Sequence, residues 1–280
     1  MAPVITLTTD FGTDDAYVAS MKGVILTISP EAAIVDICHS IEPRNILQAS
    51  FILSTTHRYF PEGTVHVAVV DPGVGSERKA IILKTPSSFF VAPDNGILSY
   101  ILDEFCPTSP GVSPSTSINM ERRKLGVELE AIAITNSEFW QHPVSTTFHG
   151  RDIFAPVAGH LSLGTPLHRF GDSVEQLNVF PLPQPFRDNS GNLDGCILHI
   201  DHFGNLITSI RDNDLPGEEF LIEVCNQRIQ NISRFYAEKE GLAAIIGSSG
   251  YLEISLKDGN AASALGAKIS DLIKISRTIA

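Results

Sequence analysis

The chain has 280 residues, 43% of them hydrophobic and 19% charged, with a formal net charge of −12. That apolar share can build packed cores and excludes a chain disordered by composition, and the length exceeds what one core usually spans, which predicts two domains. The acidic balance argues against a nucleic-acid or anionic-membrane partner and leaves a small cationic substrate open.

The N-terminus runs directly into VITLTT with no basic leader, so no signal peptide is expected, and no apolar run reaches the roughly 18 residues of a membrane span. Short apolar runs at Val4–Thr8, Ala33–Ile37, Val65–Val70, Phe89–Ala92 and Ala131–Ile134 each stop at turn residues. They predict buried, mostly parallel strands. Helical patterns over Asp15–Ile28 and Pro43–Arg58 fall between them. The alternation predicts a layered α/β domain over 1–175. Within it, 106–126, containing CPTSPGVSPSTS, reads as an exposed loop insertion with ERRK as its solvated flank. Residues 176–193, rich in Pro, Asn and Gly, read as a linker. Beyond it, over 194–280, come Cys196–Asp201, Leu206–Arg211, Phe220–Cys225, Leu242–Ile246, Tyr251–Leu256 and Leu272–Ser276. These short strands with few helical patterns predict a small C-terminal β-barrel. Cys38, Cys106, Cys196 and Cys225 are scattered with no C-x-x-C pair. They predict free thiols in a reducing cytoplasm, not a zinc site or a disulfide framework.

Ligands of open α/β sheets bind beyond the carboxyl ends of strands, where this sequence places Asp10, Asp71, Asp94 and Asn95. The same residue types also make ordinary turns. In TTDFGTDDAYV, Asp10, Asp14 and Asp15 stand where a strand hands over to a helix. Helix capping by Thr13 or Asp14, a carboxylate on ribose hydroxyls, and a calcium site all fit that position. A nucleoside-hydrolase cluster D-x-D-P-G-x-D-D resembles it, but its first acid falls on Thr8. In VVDPGVGSERKA, Asp71 opens a Gly-rich loop and Arg78 closes it; the loop lacks the G-K-[ST] ending of a P-loop. An ion pair across the loop is either structural or part of a site. In STTFHGRDIFAPVAGHL, His149 stands before Gly150 and a helix of small apolar residues, with Arg151 and Asp152 in its first turn. In IDHFGNLITSI, Asp201, Phe203 and Asn205 surround a hairpin turn whose aromatic and amide could also hold a purine. A fifth motif, IIGSSGYLEISLKDGNAASALG, supplies further turns.

Taken in order, these five motifs resemble the S-adenosylmethionine hydroxide adenosyltransferases, relatives of the fluorinases and chlorinases. The resemblance spans nearly the whole chain. It implies an N-terminal α/β domain, a C-terminal β-barrel, and a homotrimer whose active sites lie between the N-terminal domain of one subunit and the C-terminal domain of the next. It implies that Asp71, Arg78 and His149 handle water. It gives Asp10 the ribose hydroxyls and Asp14 a neighbouring contact. It puts Phe148 beside the reacting carbon, Asp201 and Ser249 at the methionine end, Phe203 and Asn205 on the adenine side, and Tyr236 as a stacking aromatic. Halogenating relatives carry tyrosines at the places of Asp71 and His149 and a serine at that of Gly150, so no halide pocket is expected. Arg44 departs from their tryptophan near the methionine moiety.

The implied reaction is hydrolysis of S-adenosyl-L-methionine to adenosine and methionine by in-line water attack at the ribose C5′. The thioether leaves neutral and needs no acid, and no metal or cofactor is expected, since Thr8 replaces a carboxylate and no Cys/His ligand spacing is present. Two other readings stand beside it: a calcium-dependent nucleoside hydrolase, and a non-catalytic S-adenosylmethionine or adenosine binding protein.

Overall fold

A computed structural model describes residues 2–107, 119–217, 219–236, 238 and 240–277. The chain separates into two compact units. One takes in Met1–Thr108 and Asn119–Pro181, and the other Leu182–Ala280.

The first unit opens with β1 (Val4–Thr9), α1 (Tyr17–Ile28), β2 (Ala33–Cys38), α2 (Ile46–Thr56) and β3 (Thr64–Val69). It continues through β4 (Ala80–Lys84), β5 (Ser88–Pro93), α3 (Ser99–Phe105), β6 (Glu121–Lys124) and β7 (Glu130–Ile134). It closes with α4 (Ala155–Ser162), β8 (Gly171–Val174) and β9 (Gln176–Val179). Seven strands form one sheet in the order β2-β1-β3-β5-β4-β7-β8. The first four run parallel, whereas β4, β7 and β8 pair antiparallel with their neighbours. The parallel part follows from helical crossovers, the antiparallel part from short links such as that between β4 and β5.

Alternation divides the core. Ile5, Leu7, Val65, Val67 and Val69 face α1 and α4, meeting Met21, Ile25, Val157 and Ala158. Ala68, Val70, Phe90 and Ala92 face α2 and α3, meeting Ala49, Leu53, Ile101 and Leu102. A period of two along strands buried on both faces produces this three-layer arrangement. On the second face, His66 in the middle of β3 is fully buried and stacks on Phe90 at 5.0 Å. Its Nδ1 lies 2.8 Å from the Thr6 hydroxyl.

Several local expectations change. Neither Thr13 nor Asp14 caps α1; Ala16 occupies the N-cap with no side-chain bond, and the helix starts at Tyr17. Asn45 does cap α2, its side chain accepting from the Gln48 N–H. ERRK, expected as a solvated flank, is a strand, β6, paired with β9: Glu121, Arg122 and Lys124 are exposed, and Arg123 turns inward, its side chain 10% exposed, to meet Asp103 at 3.3 Å. Most of the expected insertion, residues 108–118, lies outside the described residues.

The second unit begins within the stretch expected as linker, at β10 (Phe186–Arg187), followed by β11 (Leu193–Ile200), β12 (Leu206–Arg211) and β13 (Phe220–Val224). Then come β14 (Gln227–Gln230), β15 (Leu242–Ile246), β16 (Tyr251–Leu256), the short α5 (Ala261–Leu265) and β17 (Leu272–Arg277). They form an eight-stranded sheet in the order β14-β13-β17-β11-β12-β16-β15, with β10 beside β11, antiparallel throughout. The terminal strands β14 and β15 approach each other, so the sheet nearly closes as a barrel. Ile197, Leu206, Ile210, Phe220, Ile222, Leu252, Ile254 and Ile273 fill it. Closure leaves few unpaired edges, which suits strands too short to be stable alone.

Candidate active site

At the carboxyl ends of β1 and β3 the first unit opens into a cavity of about 540 Å³. Its lining includes Asp10, Arg44, Asp71, Phe148, His149 and Arg151. Asp71 follows β3 directly; the Gly-rich loop then returns to β4, placing Arg78 across from it. The Arg78 Nε donates to both Asp71 oxygens, at 3.1 and 2.9 Å, and its Nη2 donates to Oδ2. Both side chains are largely buried, at 11% and 5% exposure. A planar guanidinium matches a carboxylate in this forked geometry.

The same Nη2 lies 2.9 Å from His149 Nδ1. Guanidinium has donors only, so Nδ1 accepts, and the ring proton of neutral His149 sits on Nε2. Burial and then the Arg78 charge hold the imidazole below its ordinary pKa, against the opposing pull of Asp71 and Asp152. Arg78 thus ties a carboxylate and a neutral imidazole into one chain.

The loop carrying His149 is pinned from both sides. Asp152, fully buried, accepts from the Ser145 N–H at 2.8 Å and from Arg151 at 2.6 and 3.1 Å. The Arg151 guanidinium lies 5.2 Å from the centre of the Phe148 ring. Phe148 meets Phe11 and Tyr17 edge to face at 5.8 and 5.2 Å. Gly75, at φ 78°, brings the Asp71 loop against this segment: a Cβ there would sit 2.6 Å from the Thr146 carbonyl oxygen. Gly150 begins a π-helical turn, Gly150–Phe154, that leads into α4. A Cβ on it would meet Met21, Phe148 and Phe11 at 3.2 to 3.3 Å.

Asp10 lines the same cavity, its Oδ2 accepting from the Arg44 backbone N–H at 2.8 Å. Asp14 is exposed in the bend before α1 and is not part of the cavity lining. Asp94 and Asn95 are structural. Asp94 accepts from Asn178 of β9, and burial raises its pKa. Asn95 donates to the Val70 carbonyl, bracing the strand end next to Asp71. Thr8 is wholly buried in β1. Among the described residues no group of three or more His, Cys, Asp or Glu is placed to hold a metal.

In the second unit, Asp201, Phe203, Asn205 and Tyr236 line a cavity of about 560 Å³ with Lys257 and Asp258. Asp201 shapes its wall, accepting from the Phe203 and Asn205 N–H groups at 2.9 and 2.8 Å and from the Asn205 side chain at 2.9 Å. Phe203, so held, is 73% exposed. Tyr236 donates to buried Glu253 at 3.0 Å; desolvation and that carboxylate push its pKa up to about 12. Ser249 lies apart, in the turn between β15 and β16. Sequence reasoning did not single out Glu253, or Arg151 and Asp152 as the brace of the His149 loop. An acid inside an otherwise apolar strand, YLEISL, was the available signal for Glu253.

Residues 5–171 match the SAM hydroxide adenosyltransferase N-terminal domain and residues 195–274 its C-terminal domain, SAM being S-adenosylmethionine. An (R)-S-adenosyl-L-methionine hydrolase of Methanocaldococcus jannaschii is 33% identical, over 97% of this chain and 95% of its own. One from Salinispora tropica is also 33% identical, over 98% of each chain. A fluorinase of Actinopolyspora mzabensis is 29% identical over 75% of this chain and 73% of its own. Among solved structures, an uncharacterized conserved protein from Thermotoga maritima superposes with a TM-score of 0.84 at 34% identity, over 98% of this chain and all of that one.

Proposed function

Since the chain belongs to the S-adenosylmethionine hydroxide adenosyltransferase family, we propose that it hydrolyses S-adenosylmethionine to adenosine and methionine with Asp71, Arg78 and His149 as its water-handling groups. The observation that carries the assignment of residues is the single chain of bonds from Asp71 through Arg78 to His149 on the wall of one cavity. The substrate is the epimer named in the curated relatives, (R) at sulfur.

Water attacks C5′, the C5′–S bond breaks with its electron pair going to sulfur, and one proton is released. His149 has Nδ1 engaged by Arg78 and a proton on Nε2, so it donates to the water and orients it. It has no lone pair left to act as base. Asp71 retains lone pairs beyond those Arg78 occupies and takes the proton as the O–C5′ bond forms. Holding water in line with the C–S bond is the largest contribution, since such positioning is worth about 7–11 kcal/mol. Asp10 holds the ribose hydroxyls, Asp14, outside the cavity lining of the first unit, is a neighbouring contact, and Phe148 bounds the reacting carbon. In the second unit Phe203, Asn205 and Tyr236 take the adenine, while Asp201 and Ser249 take the methionine end. A glycine at 150, where the halogenating relatives carry a serine, supports water chemistry over halide transfer, and a Cβ there would press on Met21, Phe148 and Phe11.

The enzyme is a cytoplasmic homotrimer, the barrel unit of one subunit completing the cavity of the next. The division of the candidate residues between two separately cored units supports this. Unpaired thiols at all four cysteines fit a reducing compartment. No helix among the described residues is long and apolar enough to cross a membrane.

Each sulfur epimer incubated separately in ¹⁸O-water, with products resolved by chromatography, tests the reaction. Adenosine carrying the label at its 5′-hydroxyl, unlabelled methionine, and equal rates with and without EDTA are expected. Free adenine, or activity lost to EDTA and restored by calcium, contradicts it. Binding without turnover favours the non-catalytic reading.

A further inference from the structure

Arg44 is an arginine in a backbone conformation that disfavours side chains. Its φ is 70°, the left-handed region in which a non-glycine residue is strained. The strain is held in place by the Asp10 carboxylate on the Arg44 N–H at 2.8 Å and by the Ile46 N–H on its carbonyl at 3.1 Å. Glycine or asparagine would occupy the position at lower cost, so its occupant is not explained by the turn.

The side chain is exposed and lines the same cavity as Asp10, Asp71 and His149. The cavity's other cations are committed: Arg78 to Asp71 and His149, and Arg151 to Asp152 and the Phe148 ring. Among the described residues no carboxylate lies within ion-pair reach of the Arg44 guanidinium. S-adenosylmethionine has two positive groups, the sulfonium and the ammonium, and a single negative one, the α-carboxylate. An uncommitted guanidinium beside Asp10 complements only that last group.

Resting on the hydrolase reading above, we propose that Arg44 binds the α-carboxylate of the substrate's amino-acid arm and makes the enzyme selective for sulfonium nucleosides that carry it. Arg44 acts through binding, and the reacting atoms are handled elsewhere.

The test compares S-adenosylmethionine with its decarboxylated analogue, which keeps the sulfonium and the amine. Wild-type protein should favour the carboxylate-bearing substrate about tenfold in kcat/KM, the scale of a charge-assisted hydrogen bond. Arg44→Ala and Arg44→Gly should each raise KM for S-adenosylmethionine about tenfold with kcat nearly kept, shrinking the preference to within about twofold. Arg44→Lys should retain most of it. Arg44→Gly should also melt no lower than wild type, since it relieves the left-handed strain. A preference that survives in the Ala and Gly variants, or an equal loss on both substrates, overturns the proposal. Wild-type protein that forms adenosine from neither substrate overturns the hydrolase reading itself.

Discussion

His149 connects local electrostatics to a measurable pH dependence. Burial and Arg78 hold its imidazole pKa below 6.5, so the neutral ring, accepting at Nδ1, is the form the proposed role uses. Acidification protonates Nδ1 and breaks its bond to Arg78. The acid limb of kcat should therefore lie below pH 6.5, and His149→Gln should flatten it. A wild-type limb at or above the ordinary histidine value would refute this role. Asp71→Asn should lower kcat by about 10²–10⁴-fold while largely sparing KM, as expected for a lost base. Gly150→Ser presses a side chain onto Met21, Phe148 and Phe11 and should cost about 1–3 kcal/mol in denaturant unfolding. With excess fluoride or chloride it should yield no 5′-halo-adenosine by chromatography. Asp71, Arg78 and His149 were legible as candidates because an acid ended an apolar run and a histidine preceded glycine in polar surroundings. Their connection through one guanidinium was not legible, since residues 71 and 149 are far apart in the chain and only the fold brings them together.

Elements show where pattern reading succeeds and where it stops. The runs that became β1, β3, β12, β15 and β16 announced themselves because buried strands require unbroken or alternating apolar residues; the run that became β2 is also a strand, but at the sheet edge with no residue buried, against the expectation of burial. β4 was hidden by its proximity to the Gly-rich loop, and β6 by its composition: ERRK pairs with β9 and sends Arg123 to Asp103, contacts no hydrophobicity pattern contains. β9 was concealed in a proline-rich stretch, although Leu177 and Val179 alternate inward. The loop between β3 and β4 gives a prediction at this scale. Gly75→Ala meets both a left-handed backbone and the Thr146 oxygen, so it should lower stability and separate Asp71 from His149, cutting kcat. Gly63→Ala carries the same kind of strain, at φ 81°, with open space around it. It should lower stability by about 1–2 kcal/mol and leave kcat near wild type. Equal kcat in the two variants would remove the loop contact from the argument.

β3 also sets an acid limit on the fold. Desolvation first, then the nearby His57, push the His66 pKa down from 6.5 to about 3. The unfolded chain therefore binds a proton that the folded chain refuses between those values. Stability is full above pH 6.5 and falls as pH drops toward 3, with a slope of at most about 1.4 kcal/mol per pH unit from this group. Denaturant titrations at several pH values should show that slope in wild type and a shallower one in His66→Phe. Equal slopes would place the acid sensitivity elsewhere.

The whole molecule is two units with separate cores, and the proposed chemistry is divided between them. The shared-site trimer makes a direct prediction. Light scattering should give the trimer mass, and mixing inactive Asp71→Asn with inactive Asp201→Ala protein should restore part of the activity after subunit exchange. A fully active monomer, or no recovery from trimers shown by mass to be mixed, would refute shared sites. The change from helix-period to strand-period texture made the two architectures readable in the sequence. Assembly was not readable in the residues, because an interface uses the same apolar and polar types as any other surface.

The separate cores also bear on how such an enzyme can change over evolutionary time. Asp71, Arg78 and His149 stand on the sheet-and-helix unit, whereas Phe203, Asn205 and Tyr236 line a cavity in the barrel. Substitutions in contact couple, and distant ones add. A lineage can therefore drift in the barrel, trying other bases, while inheriting the proposed water-handling groups intact. Conversely, the few positions around residue 150 can be revised toward a different nucleophile without renegotiating which base is held. Two hydrophobic cores thus make much of the protein's history separable, with coupling confined to the residues that would meet in the proposed shared site.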